Sequence, residues 1–198
     1  KGEPYRMVGS HLDITERKEM EREFHAQEAQ LLAARKIQEH IWPQKPPDLP
    51  GCDIAGKVFP AEFAAGDHFD YFSINDQSLV FLVADVVGHG FSSALLMAST
   101  HAHIRSLFAT QLDIDEVLGG TNSALLRDTD RFVTAILGRL DLRDRTFVYI
   151  NAGHPTGYIL DKSGGLKHQL ESSVPPMAIM SDVSFTPSAP IRLEPGDT

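Results

Sequence analysis

Asp85 ends an unbroken apolar run, Leu79-Val-Phe-Leu-Val-Ala84. Such a run reads as a buried strand. A carboxylate at its end is costly to bury unless a cation or hydrogen-bond donors meet it. A second carboxylate, Asp67, lies upstream of a turn predicted at 75–78. If that turn closes a hairpin, residues whose numbers add to 152 or 153 face each other. In the first register Asp67 and Asp85 are directly opposed, with Cβ atoms about 5 Å apart. In the second they point to opposite faces unless a bulge near Gly66 corrects the register. An opposed pair favours a hard, oxygen-seeking cation such as Mg²⁺ or Mn²⁺. Two exposed strand-end carboxylates fit the spacing equally well. Gly88-His89-Gly90 then gives the backbone freedom to turn into a helix, whose first N–H groups favour anions, phosphate included. The order strand, carboxylate, glycine turn, helix therefore suits metal plus phosphate. His89 and His154, both in glycine turns, read as metal ligands, as acids or as structural histidines.

These groups need a hairpin followed by a helix, and the flanking sequence supplies both. Asp67–Ile74 and Leu79–Val86 read as the two strands. Phe91–Thr110 has helical apolar spacing with Ser92 or Ser93 available as cap, and Ile114–Arg127 reads as a second helix. Three strands are predicted next, at Phe132–Asp141, Thr146–Asn151 and Gly157–Leu160, then a Ser163-Gly-Gly turn. A loop at Ser172–Thr186 precedes a strand beginning at Ile191, and Cys52–Phe59 alternates as a strand would. Hairpins with two adjacent helices between them predict an α+β fold, antiparallel strands with helices packed outside.

Upstream, Glu16–Ile41 contains no Gly or Pro and predicts one long helix, with Thr15 as N-cap and Glu16 and Glu19 in its first turn. Alternating steps of four and three select Met20, Phe24, Gln27, Leu31, Ala34, Gln38 and Ile41. Five of these seven are apolar, which makes a coiled-coil dimer seam weakened by two glutamines. A helix packed on its own domain is the alternative. Pro43, Pro46, Pro47 and Pro50 stop the helix and place a domain boundary near 42–51.

Composition narrows the function classes. A net charge of −9 argues against a general nucleic-acid binder, which needs clustered Lys and Arg. The single cysteine, Cys52, excludes an internal disulfide framework and any multi-cysteine metal site, and fits a cytoplasmic, reducing setting. No run approaches the roughly 18 apolar residues of a membrane span. The chain starts without Met and stops at Pro195-Gly-Asp-Thr198, so it reads as an excised piece of a longer protein.

Four ordered motifs carry a family resemblance: Ala65-Gly-Asp-His-Phe-Asp-Tyr-Phe72, Ala84-Asp-Val-Val-Gly-His-Gly-Phe-Ser-Ser-Ala-Leu-Leu-Met97, Arg131-Phe-Val-Thr-Ala-Ile-Leu-Gly-Arg-Leu-Asp141 and Asn151-Ala-Gly-His154. Together they resemble the SpoIIE-type branch of the metal-dependent (PPM) serine/threonine protein phosphatases, the bacterial sigma-factor regulators. Val174–Ile179 and Leu193–Asp197 are similar to later segments of that family. Ala65 stands where the family usually has Gly, and Val87 where it has a small residue. The resemblance covers 43–198 and implies a β-sandwich flanked by helices, with two Mn²⁺ or Mg²⁺ ions at one edge. Residues 1–16 resemble the end of a PAS sensor domain, which leaves 17–42 as a linker helix.

Carried over residue by residue, the resemblance implies that Asp67 and Asp85 bind metal, Asp85 bridging the two ions, with the backbone carbonyl of Val86 as a further ligand. Asp70, Gly88, His89, Gly90, Asn151 and His154 are implied at most as second-rank or phosphate-side residues. The family's remaining metal aspartates lie beyond the Pro-Gly-Asp segment, so this piece is expected to lack part of the site. The implied reaction is hydrolysis of phosphoserine or phosphothreonine in an anti-anti-sigma (STAS) type protein, under control of the sensor through the linker helix. The competing expectation is a non-catalytic module of the same fold that signals by binding.

Overall fold

The structure, a computed structural model, describes residues 9–10, 12–59, 65–75, 77–110 and 113–198. The short strand expected at Tyr5–Val8 lies outside the described residues. Ten elements follow in chain order: α1 Thr15–Ile41, β1 His68–Asn75, β2 Ser78–Val86, α2 Phe91–Phe108, α3 Ile114–Asp128, β3 Val133–Asp141, β4 Thr146–Ala152, β5 Gly157–Leu160, β6 Leu166–Leu170 and β7 Ile191–Arg192. The larger sheet has the order β1-β2-β3-β4-β7, and β5 pairs with β6 in a separate hairpin. Every named strand pairing is antiparallel. The chain is therefore of the α+β class, as its pattern predicts.

Strand alternation decides which face holds the core. Val80, Leu82, Ala84 and Val86 of β2 are buried, as are Val133, Ala135 and Leu137 of β3. They meet Met97, Ile104 and Phe108 of α2 and Ile114, Val117, Leu118 and Leu125 of α3 in one cluster. Burying these side chains away from water supplies the main drive for folding. On the opposite face Phe81 packs edge-on against Phe147, which stacks on Tyr149. The β5–β6 hairpin adds Ile159 and Leu170 to that side, against Ile191.

Several local expectations change. Asp13, not Thr15, satisfies the start of α1, its Oδ1 accepting the Thr15 N–H at 2.9 Å. Neither Ser92 nor Ser93 caps α2, whose N-cap is Gly90. Ser93 is instead buried and donates to the Val87 carbonyl at 3.4 Å. Cys52–Phe59 forms no strand. Gly56 presses its backbone on the Phe69 ring, where a Cβ would meet Cε2 at 2.3 Å, so this segment packs on β1's face and not along its edge. The strand β6 had no clear signal, because Lys167, His168 and Gln169 are polar and the strand is largely exposed.

Helix α1 is shared between two environments. Met20 and Phe24 are 62% and 64% exposed, whereas Gln38 is 5% exposed and docked on the domain. The glutamine at 38, expected as a flaw in a coiled-coil seam, is an intramolecular docking residue. No described helix is long and apolar enough to cross a membrane.

Candidate active site

The register of β1 on β2 pairs His68 with Ala84 and Phe69 with Val83. Continued one step outward, it sets Asp67 opposite Asp85, the first of the two registers considered above. No bulge near Gly66 is needed; the irregularity lies at Ser73/Asn75, beside the turn. Asp67 is exposed and Asp85 half-buried. Partial burial raises the Asp85 pKa above the usual carboxylate range, and the charge of Asp67 and a hydrogen bond with it raise it further. The two carboxylates are thus close and mutually unfavourable while both are ionised.

Gly66 explains how the chain permits this approach. Its N–H neighbour across the strand is secured, with Val86 N donating to Gly66 O at 3.3 Å. A Cβ on Gly66 would lie 2.9 Å from the Val86 carbonyl and 3.2 Å from Asp85 Oδ1. Only a residue without a side chain leaves those oxygens open. The donor set here, two carboxylates and the Val86 carbonyl, is all oxygen, which fits Mg²⁺ or Mn²⁺ and not a thiolate-seeking metal. The residues present therefore fit the implied ions.

His154 flanks the pair. Its Nδ1 is 2.9 Å from Thr134 Oγ1, and Thr134 pairs with Asp85 across β2 and β3. Burial lowers the His154 pKa, while the charge of Asp67 acts in the opposite sense. A neutral imidazole at neutral pH follows. Asn151 is fully buried and holds the turn: its Oδ1 accepts from His154 N at 2.8 Å, and its Nδ2 donates to the carbonyls of Leu170 and His154 at 2.8 and 3.1 Å. It positions His154 without reaching the carboxylates. Gly88 and Gly90 both have positive φ, +93° and +80°, which glycine alone adopts at little cost. His89 between them is exposed.

Asp70 is not part of this group. It faces α2, where Arg105 grips both its oxygens, Nε to Oδ2 at 2.7 Å and Nη2 to Oδ1 at 2.8 Å. His101 Nε2 adds a contact to Oδ2 at 2.9 Å, and Tyr71 N donates to Oδ1 at 2.8 Å. The ligand atoms of His68, Asp70 and His101 lie within 4.8 Å of one another, a spacing a metal could use. The carboxylate's acceptor sites are already filled, so the arrangement is an ion-pair network tying β1 to α2. His68 sits edge-on to His101, ring centroids 4.7 Å apart. Burial, with His101 next, pulls its pKa down to about 4 and keeps it neutral.

A connection that the sequence did not reveal reaches the site from α1. Gln38 Nε2 donates to Ala65 O at 2.8 Å, and Ala65 N donates to Gln38 Oε1 at 3.0 Å. A longer contact, 3.4 Å, runs from Nε2 to Ala94 O in α2. Helix α1 thereby holds the backbone two residues before Asp67. A glutamine at a seam position was the one available signal.

Comparison with known proteins identifies the family and the fold. Residues 75–198 match the sequence model of the family described as Stage II sporulation protein E (SpoIIE). Protein IcfG of Synechocystis sp. is 25% identical over 197 residues, 85% of this chain and 31% of its own. Phosphoserine phosphatase RsbP of Bacillus subtilis is 30% identical over 138 residues, covering 67% of this chain and 34% of its own. The chain thus spans about a third of the length of each of these two relatives. Among solved structures, the SiaA-PP2C domain of Pseudomonas aeruginosa aligns over 93% of this chain and 72% of its own with a TM-score of 0.71 at 21% identity. The RsbU and RsbW domains of Rv1364c from Mycobacterium tuberculosis align over 69% of this chain and 38% of theirs, with a TM-score of 0.61 at 25% identity.

Proposed function

The chain belongs to the SpoIIE family, and on that premise we propose that it is the catalytic part of a metal-dependent protein phosphatase acting on phosphoserine or phosphothreonine. The observation that carries this reading is the opposed Asp67–Asp85 pair around the Gly66 cradle, whose charges are unfavourable without a cation. Asp67, Asp85 and the Val86 carbonyl are the groups that would hold Mn²⁺ or Mg²⁺. Ions bound there would acidify a water and neutralise charge on the transferring phosphoryl group. The protein's own part is positional: the β1–β2 register opposes the carboxylates, Gly66 leaves their oxygens accessible, and Asn151 and Thr134 orient a neutral His154 beside them.

The substrate proposed is a phosphorylated STAS-type protein, supported by relatives named phosphoserine phosphatases. Full-length protein incubated with such a phosphoprotein should release phosphate with Mn²⁺ and none with a chelator. Equal release under both conditions would refute metal-dependent hydrolysis.

Control by an N-terminal sensor is proposed to run through α1, because Gln38 ties that helix to the backbone leading to Asp67. Gln38→Ala removes both bonds to Ala65. Its expected effect is a loss of about 1–2 kcal/mol in the docking of α1, with turnover that no longer responds to the state of the sensor domain. Unchanged regulation in that variant would show that Gln38 transmits nothing. The exposed Met20 and Phe24 are proposed to pair with a second copy in a dimeric coiled coil. Light scattering on Met20→Glu/Phe24→Glu should then give a monomer; an unchanged dimer, or a monomeric parent, would exclude that seam.

A further inference from the structure

Beside Gly88 of the Gly-His-Gly turn stands an arginine that takes no part in the reaction proposed above. We propose that Arg131 receives the substrate's phosphate, an inference that deepens the phosphatase reading and rests on it. Asp85 pairs with Thr134 and Val86 with Val133, and Val87 N then donates to Phe132 O at 3.2 Å. The next residue on that side is Arg131, brought level with Gly88. Thr129 Oγ1 accepts its N–H at 3.0 Å, and its Nη1 donates to Ser93 Oγ at 2.9 Å. Ser93 has no solvent exposure, so the anchor is rigid.

Gly88 is the common wall. A Cβ there would lie 3.3 Å from Arg131 Nη1. The Gly88 carbonyl is 3.6 Å from the corresponding point on Gly66, the same point that is 3.2 Å from Asp85 Oδ1. Arg131 and Asp85 therefore both lie beside the close approach of Gly66 to Gly88. Arg131 is half-buried and makes no ion pair with any described residue. Arg105, by contrast, is engaged by Asp70.

A phosphate monoester carries about −1.5 to −2 charge at neutral pH and must approach two carboxylates. A guanidinium without a carboxylate partner offsets that repulsion and offers a planar fork matched to phosphate oxygens. Its anchor is a neutral hydroxyl, and with no carboxylate partner among the described residues Arg131 is available to an anion. The chemistry selected is a phosphate dianion at the mouth of the metal-binding pair.

The test is calorimetric binding of inorganic phosphate to Mn²⁺-loaded full-length protein, alongside steady-state turnover of a phosphoserine peptide. Arg131→Ala should weaken phosphate binding about 10- to 100-fold and raise KM by a similar factor. Arg131→Lys should recover part of both, since it keeps the charge and loses the fork. Ser93→Ala should shift both in the same direction by a smaller factor. Circular dichroism identifies any variant that fails to fold, in which case Arg131→Lys and Ser93→Ala carry the comparison. Phosphate affinity unchanged in folded variants, or undetectable in the parent, would overturn the role of Arg131. Arg131-dependent phosphate binding without any turnover would sink the phosphatase reading and leave Arg131 only as a phosphate-binding residue.

Discussion

Asp85→Asn is expected to lower kcat/KM for a phosphoprotein by at least about 100-fold, the upper range seen on losing a group one shell farther from a metal. The same substitution should leave the metal-free protein as stable as its parent or more so. The opposed directions follow from one fact: burial and the adjacent Asp67 raise the Asp85 pKa. A carboxylate whose folded pKa is raised costs the fold nothing at a pH below its unfolded value and costs it progressively as pH rises through the folded one. Asparagine keeps the shape and removes the charge, so the repulsion is relieved while the proposed cation site loses a ligand. Thermal melts in chelator at pH 5 and pH 8, with turnover in Mn²⁺, measure both effects. A variant that is active, or destabilised most at pH 8, would contradict this account.

The second large effect is structural. Asp70→Ala is expected to destabilise the domain by about 3 kcal/mol, the lower end for breaking a buried ion pair, or about 6–12 °C in Tm for a domain of this size. The side chain of Asp70 has 0% exposure, whereas Arg105 is 43% exposed and can turn to water. Burial alone would raise the Asp70 pKa, but hydrogen bonds from His101 and Arg105 outweigh it and the net shift is downward. A depressed folded pKa gives stability that is complete above the unfolded value of about 3.9 and is lost as pH falls through the folded value. The Tm difference between parent and Asp70→Ala should therefore be full at pH 6 and shrink below about pH 4. Equal melting at pH 6 would mean that the network contributes no net stability. Urea denaturation at the two pH values provides an independent reading.

These two aspartates show how far sequence reading extends. Asp67, Asp70 and Asp85 belong to similar short motifs, yet only strand parity separates them. An even register opposes Asp67 to Asp85 and turns Asp70 to the helix side; the turn at 75–78 alone left both parities open, and the irregularity at Ser73/Asn75 decides between them. What Asp70 meets on that side was not legible, because Arg105 is 35 residues away on α2. Gln38 illustrates the same limit: a polar residue on a helical seam looked like a flaw until the Ala65 backbone appeared opposite it. The Arg131–Ser93 hydrogen bond likewise joins residues 38 apart, one just before β3 and the other on α2. The Cys52–Phe59 segment alternates in sequence but finds no strand partner among the described residues, and the polar β6 strand has too little apolar signal to stand out.

Asp67 and Asp85 are proposed to hold a divalent cation together. Mn²⁺ titration of the full-length protein by calorimetry, in two buffers of different ionisation enthalpy, tests it most directly. Binding should release protons increasingly as pH falls toward the raised Asp85 pKa, and both binding and proton release should vanish in Asp67→Asn and Asp85→Asn. Mn²⁺ affinity retained in either folded variant would contradict the claim.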